Sequence, residues 1–234
     1  MAADVSVVLP TYNEEGHIAE LVRAVCALVQ PCAGSLEIVV VDDASPDGTA
    51  MRARSIEGCP VKVVERESER GLASAVRRGI ECSRGEVLIV MDADFNHRVE
   101  DTPRLLAELD QADVAVGSRF VRGGGMPGSR MRYWGSWLLN TWIALRTESG
   151  LHDHTSGFLA LGRGVLEDLD FDTVFRGYGD YCIRLLCALR RGGARITEVP
   201  VRYGQRKSGE SKTRLLPFLM PYLRTTEQIR GSPH

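Results

Sequence analysis

Two carboxylates, Asp92 and Asp94, close the apolar run Val87-Leu88-Ile89-Val90-Met91. Side chains at i and i+2 of an extended segment point the same way, so the pair can converge on one cation where a buried strand ends and a polar cleft begins. Hard carboxylate oxygens suit Mg²⁺ or Mn²⁺. On its own the triplet reads equally well as a turn holder or as the cap of the next helix, and its neighbours decide between the two.

Other strand ends carry polar residues of matching character. Pro10-Thr11-Tyr12-Asn13-Glu14 follows the first apolar run, Asp42-Asp43-Ala44-Ser45-Pro46-Asp47-Gly48-Thr49 the second, and Gly117-Ser118-Arg119 the fifth. Ligands of open α/β sheets bind beyond the carboxyl ends of the strands, so these segments together outline one site: acids for a metal and a base, and an arginine for phosphate.

The elements that must position them alternate β-branched runs with amphipathic stretches, which predicts an α/β fold with a mostly parallel central sheet flanked by helices. Strands are expected near 4–9, 36–41, 61–65, 86–91 and 113–116. Helices are expected over 14–29, 47–57, 71–82 and 100–109, the first with Ile18, Leu21, Val22, Val25 and Leu28 as its buried stripe. After Ser118, Gly123-Gly124-Gly125 and Gly128 mark a mobile loop. A helix over 133–146, a strand at 158–161, a helix over 178–191, a strand over 195–203 and a helical tail over 212–230 follow.

Composition excludes several functions. With 234 residues, 44% hydrophobic and 26% charged, the chain makes one sizeable domain. A net charge of -2 supplies no global field for nucleic acid, so anion binding must come from local arginines. Six cysteines without paired metal-ligand spacing read as reduced and structural. Met1-Ala2-Ala3-Asp4 leads directly into a strand, without the look of a signal peptide. The longest apolar stretches, near 137–145 and 215–223, fall short of the ~20 residues a spanning helix needs. The expectation is a cytoplasmic protein, peripheral at the membrane face.

The Pro-Thr-Tyr-Asn-Glu opening, Val41-Asp42-Asp43-x-Ser45-x-Asp47-Gly48-Thr49, Asp92-Ala93-Asp94, Gly117-Ser118-Arg119, Asp153-x-Thr155-Ser156-Gly157-Phe158 and Gly209-Glu210-Ser211-Lys212 occur in one order. In that order they resemble an inverting family-two glycosyltransferase with a GT-A fold, within it the dolichol-phosphate mannosyltransferase and polyprenyl-phosphate glycosyltransferase group. The resemblance covers about the first 213 residues. It implies a single Rossmann-like nucleotide-binding domain over 1–213 and an amphipathic tail over 214–234.

The resemblance also implies roles. Pro10, Tyr12, Glu14 and Asp42 would contact the base and ribose of a nucleotide sugar, with Asp92 and Arg206 completing that site. Asp92 and Asp94 would hold Mg²⁺ or Mn²⁺, with Asn96 where relatives have glutamine. Asp94 and Arg119 would be catalytic, and Arg132 and Ser136 would bind an acceptor phosphate. The implied reaction moves a hexose, mannose, from GDP-mannose to a polyprenyl or dolichyl phosphate. The implied setting is a membrane surface, with a small membrane protein as a possible partner.

Some positions stay open. His97 lacks the two prolines that follow it in this group, having Arg98 and Val99 instead, and reads more as a structural hydrogen-bonding residue than as a ligand. Asp47 reads as a cap. Arg70-Gly71 starts a helix that would either face a phosphate or form a plain turn, and Lys212 would bind a phosphate or nothing. Asp180, in Gly177-Tyr178-Gly179-Asp180-Tyr181, is a candidate base that keeps a soluble hydroxyl acceptor, a glycan or natural product, as the alternative. A receiver-type phosphate-binding module, suggested by Asp42-Asp43, would need about half this length and leave residues 118–212 without a use.

Overall fold

The computed structural model describes residues 4–128, 130–204 and 215–231. β-branched runs form the strands: β1 (Val5–Thr11), β2 (Leu36–Asp42), β3 (Val61–Glu65), β4 (Val87–Val90), β5 (Val114–Ser118), β6 (Leu159–Gly162) and β7 (Ile196–Pro200). They make one sheet in the order β3-β2-β1-β4-β6-β5-β7. β6 runs antiparallel to both its neighbours, and the other pairs are parallel. The expected α/β class and mostly parallel sheet are therefore observed. Alternation did not show that the late strand β6 would insert between β4 and β5.

The helices are α1 (Glu15–Val29), α2 (Thr49–Arg54), α3 (Leu72–Cys82), α4 (Thr102–Glu108), α5 (Arg130–Thr147), the short α6 (Phe171–Val174), α7 (Tyr181–Arg191) and α8 (Leu215–Gly231). The two-residue period of the strands divides the core. Val7 and Leu9 of β1 pack with Ile18, Leu21, Val22 and Val25 of α1, while Val8 faces Val76 and Ile80 of α3 and the α7 leucines. Each such side chain contributes about 1.5–3 kcal/mol when fully buried. In α1, Leu28 is half-buried and Val29 takes its place in the core. A Cβ at Gly79 would come within 2.2 Å of Val8 Cγ1, so glycine lets α3 lie close on β1.

Two late segments make contacts that the sequence did not show, and the tail expected to be helical over 212–230 is helical as α8. The glycine segment makes backbone hydrogen bonds: Gly124 N–H donates to Val121 O, Gly125 N–H to Val201 O, and Tyr203 N–H to Gly125 O. Gly124 lies so near the backbone of Ser118 and Arg119 that a Cβ would sit 2.6 Å from Ser118 O. Gly124 thus permits close approach. The described part of the tail, α8, packs on α5 and α7: Ile229 joins Ile143, Ile183 and Cys187 in a small core, and Arg146 donates to both oxygens of Glu227 at 2.8 Å. Among the described residues no helix is long and apolar enough to cross a membrane.

Candidate active site

A cleft of about 630 Å³ opens at the carboxyl ends of β1, β2 and β4. Pro10, Tyr12, Glu14, Asp92, Asp94, Asn96, Arg119, Arg132 and Ser136 all line it. Arg70 and Gly71, at the start of α3, also reach it. Asp42, Asp180 and Arg206 differ: the first two do not line the cleft, and Arg206 lies outside the described residues, as does the whole Gly209–Lys212 block.

Asp42 is fully buried at the end of β2. Its carboxylate accepts from Thr11 Oγ1 at 3.0 Å, Ser45 Oγ at 2.6 Å and Ser45 N at 2.8 Å, so it joins the ends of β1 and β2 beneath the cleft. Successive strand residues point to opposite sides, and the next residue, Asp43, is the one at the cleft. Asp43 accepts from Arg66 Nε at 2.8 Å, again from Arg66 Nη2, and from Gly71 N at 2.8 Å. The first N–H before α3 is thereby taken up by Asp43. Asp47 accepts from Glu15 N and Thr49 N, both at 3.0 Å, which is a capping role at two helix starts.

At the end of β4, Asp94 accepts from Asn96 N at 3.0 Å and Asn96 Nδ2 at 2.9 Å, so Asn96 orients that carboxylate. Phe95 bends the chain between them with φ +62. The His97 ring is fully buried and stacks on Phe158 at 4.9 Å. Its Nδ1 accepts the Asp92 N–H at 2.9 Å, which requires that nitrogen to be bare, and its Nε2 then donates toward Ser156 O at 2.9 Å. His97 is a strut under the Asp92 backbone.

Among the described residues no cluster of three or more His, Cys, Asp or Glu forms a complete metal cage. Two carboxylates beside an open cleft nevertheless fit a hard cation of the Mg²⁺ kind, which keeps waters and takes further oxygens from substrate phosphates. Asp92 and Asp94 would hold it.

Arg119, which also lines the cleft, donates through Nε to Asp153 Oδ2 at 2.8 Å and through Nη2 to Asp153 Oδ1 at 2.7 Å and Thr155 Oγ1 at 2.8 Å. Its guanidinium lies 4.8 Å from the centre of the Tyr203 ring and 4.9 Å from that of Phe120. Burial works against its charge, but Asp153 outweighs burial and holds the group protonated. Behind Asp153, Glu198 accepts from the backbone N–H groups of His152 and Asp153 at 2.9 and 3.0 Å. Asn140, buried on α5, donates to Thr155 Oγ1 at 2.9 Å and accepts from His154 N at 2.7 Å. That residue fixes α5, and with it Arg132 and Ser136, to the 153–157 segment.

Asp180 is buried at the start of α7. It accepts from Arg184 Nη1 at 2.7 Å, Thr225 Oγ1 at 2.9 Å and Tyr178 N at 2.8 Å. Burial raises its pKa, yet Arg184, the Tyr178 N–H and Thr225 together bring it below the ordinary carboxylate value. It is ionised but committed on both oxygens, and it latches α8 to α7. The neighbours Tyr178 and Gly179, and Tyr222 from α8, are what reach the cleft. Reading the sequence missed Asp43, Tyr178, Tyr203 and Tyr222 as cleft residues. Alternation at the end of β2 carried a signal for Asp43; the tyrosines, brought in from distant segments, carried none.

An open α/β sheet with paired acids at the end of its fourth strand and arginines across the cleft has the architecture of a GT-A glycosyltransferase. Residues 6–170 match the family model described as Glycosyl transferase family 2, and the chain belongs to that family. It is 37% identical over 213 residues to a dolichol-phosphate mannosyltransferase of Pyrococcus furiosus, covering 89% of this chain but only 58% of that protein's length. It is 36% identical over 214 residues to an undecaprenyl-phosphate mannosyltransferase of Micrococcus luteus, covering 88% of this chain and 85% of that one. Among solved structures it resembles glucosyl-3-phosphoglycerate synthase from Mycobacterium tuberculosis in complex with Mn²⁺ and UDP-glucose. That likeness has a TM-score of 0.72 at 25% identity and covers 99% of this chain and 80% of that one. Family membership sets aside the receiver-type reading.

Proposed function

We propose that this protein transfers mannose from a nucleoside diphosphate sugar, GDP-mannose, to a polyprenyl phosphate with inversion at the anomeric carbon. The observation that carries this reading is that Arg132 and Ser136, one helical turn apart on α5, line the same cleft as Asp92 and Asp94. The names of the mannosyltransferase relatives support it.

Tyr12, 41% exposed, offers the base a flat face, and Glu14 and Asp43 offer acceptors beside it. A divalent ion, Mg²⁺ or Mn²⁺, held by Asp92 and Asp94 would supply Lewis-acid stabilisation to the departing diphosphate. Arg119 adds a fixed positive charge in the same cleft. A phosphate monoester, with a second pKa of about 6, is already an anionic nucleophile near neutral pH. It therefore needs cations more than a base, and Arg132 provides one with the directional donors that suit phosphate. The committed state of Asp180 agrees with an acceptor from which no proton has to be removed. Arg206 belongs to the same proposal as a contact of the donor, and the enzyme would work peripherally at the cytoplasmic face of a membrane.

The test offers the purified protein a panel of nucleotide sugars with Mg²⁺ or Mn²⁺, with and without polyprenyl phosphate, and follows nucleotide release. Turnover that requires both GDP-mannose and the lipid phosphate is expected. Turnover with soluble hydroxyl acceptors alone would reject the assignment.

A further inference from the structure

Thr155 lines the cleft with a hydroxyl whose hydrogen-bond polarity is fixed by its neighbours. Asn140, fully buried on α5, accepts the His154 N–H at 2.7 Å through Oδ1 and donates through Nδ2 to Ser136 O at 2.9 Å. A backbone N–H can only donate and a backbone carbonyl only accept, so the amide has one orientation. Its Nδ2 therefore donates to Thr155 Oγ1 as well, at 2.9 Å. Arg119 Nη2, a group without acceptor capacity, donates to the same oxygen at 2.8 Å. A threonine hydroxyl has two acceptor lone pairs and one proton. Both lone pairs are thus taken by obligate donors, and the proton is what Thr155 has left to offer.

Among the described residues the partner of that proton is Asp153 Oδ1, at 3.5 Å. That distance makes a weak bond, and the same oxygen already accepts from Arg119 Nη2 at 2.7 Å and Thr155 N at 3.2 Å. Thr155 is half-buried and shares the cleft with Arg119, Arg132 and Ser136. From this geometry we propose that Thr155 binds the acceptor phosphate by donating its hydroxyl proton to a phosphate oxygen, with Asn140 as the positioning residue that holds the hydroxyl in that polarity.

The oxygens of a phosphate monoester dianion accept hydrogen bonds and have no proton to give, so a group locked as a donor matches them. A nucleotide diphosphate is acceptor-only too, and α5 decides between the two. Asn140 lies one helical turn from Ser136 and two from Arg132. Its amide joins Ser136 O to Thr155, so Thr155 keeps its place beside the residues assigned to the acceptor. The inference rests on the proposed phosphate acceptor and adds a contact from outside α5. The Asp153–Phe158 block thereby gains a ligand-binding role that its sequence did not show.

The experiment is calorimetric titration of the whole protein with a short-chain, water-soluble polyprenyl phosphate and, separately, with GDP and Mg²⁺, alongside melting. Thr155→Val keeps the shape of the side chain and removes the hydroxyl. It is expected to weaken polyprenyl phosphate binding by about tenfold or more and to leave GDP binding within about twofold, whereas Thr155→Ser should bind both ligands within about threefold of wild type. Asn140→Asp faces Thr155 with an acceptor that takes up its proton, and should raise the acceptor KM by about tenfold with the KM for GDP-mannose unchanged. A purely structural amide would not produce that split. Should Asn140→Asp fail to fold, the valine and serine variants of Thr155 decide. In folded Thr155→Val, loss of both ligands alike, loss of neither, or a loss confined to GDP overturns the inference, the last because it puts the hydroxyl on the diphosphate. Wild type that binds polyprenyl phosphate no better than Thr155→Val does rejects the role of Thr155 and leaves the acceptor reading standing. Wild type that binds GDP but no polyprenyl phosphate rejects the acceptor reading, and the role of Thr155 with it.

Discussion

Arg119 and Asp153 meet in a bidentate pair at 2.8 and 2.7 Å, with the aspartate fully buried and the arginine 7% exposed. Two desolvated charges persist because each is also held elsewhere: Asp153 Oδ2 accepts Arg119 N–H at 2.9 Å, and the guanidinium reaches Thr155. Asp153 therefore fixes where the positive charge stands in the cleft. Asp153→Asn should leave a buried cation without its partner and lower stability by about 3–5 kcal/mol, read as a fall in the urea midpoint. The paired replacement Arg119→Met/Asp153→Leu should recover much of that stability while remaining inactive. An Asp153→Asn protein as stable as wild type would refute this account of the pair.

The metal assignment predicts a separate signature. Asp94→Asn should lower turnover by about 10²–10³-fold, and a chelator should abolish wild-type activity until Mg²⁺ or Mn²⁺ is restored. Melting of the unliganded Asp94→Asn protein is measured alongside, because the buried carboxylate accepts from both Asn96 N and Asn96 Nδ2 and any loss of fold must be separated from the loss of turnover. Full turnover in chelator would reject a role for a metal.

Much of this architecture was legible because local pattern and tertiary role coincide. β1, β2, β3 and β5 lie within one or two residues of their apolar runs, and the strand-end motifs Pro10–Glu14 and Asp92–Asn96 line the cleft. The rest was not legible where two adjacent residues compete or where distant segments meet. Asp42 and Asp43 are identical in type, and only the direction of the strand end separates the buried anchor from the cleft residue. Asp180 has the residue type and location of a base, but Arg184 and Thr225, the latter 45 residues away in sequence, occupy its oxygens. The backbone bonds of Gly125 to Val201 and Tyr203, across the sheet edge, had no local signal either.

His154 provides a test of the network under α5. It is fully buried, its Nε2 meets Ser149 Oγ at 2.6 Å, and burial pushes its pKa down to about 4 despite the nearby Asp153 and Glu198 carboxylates. A histidine held neutral in the fold but ionisable near 6.5 once unfolded makes the unfolded state bind more protons between those values. Its contribution is thus complete above pH 6.5 and declines as the pH falls toward 4. Denaturation midpoints measured across that range should fall, and His154→Gln should flatten the fall. An imidazole resonance of His154 titrating near 6.5 in the native protein would contradict this.

The sharpest test of the acceptor lies at Arg132 and Asp180, which the lipid-phosphate and hydroxyl readings rank in opposite order. If the acceptor is a phosphate, Arg132→Ala removes a charge-assisted contact and should raise the acceptor KM by roughly tenfold to a hundredfold, leaving donor binding unchanged. Asp180→Asn should then keep its rate within about tenfold, since no proton must be taken from the nucleophile. Its cost should appear in stability instead, because Arg184 and Thr225 lose an ionised partner in a buried site. If the acceptor were a hydroxyl, Asp180→Asn would lose about 10²–10⁴-fold in rate and Arg132→Ala would be near normal. Measuring melting alongside kinetics separates the two causes. A folded Asp180→Asn protein that binds donor but does not transfer would restore Asp180 as a base and overturn the polyprenyl-phosphate reading.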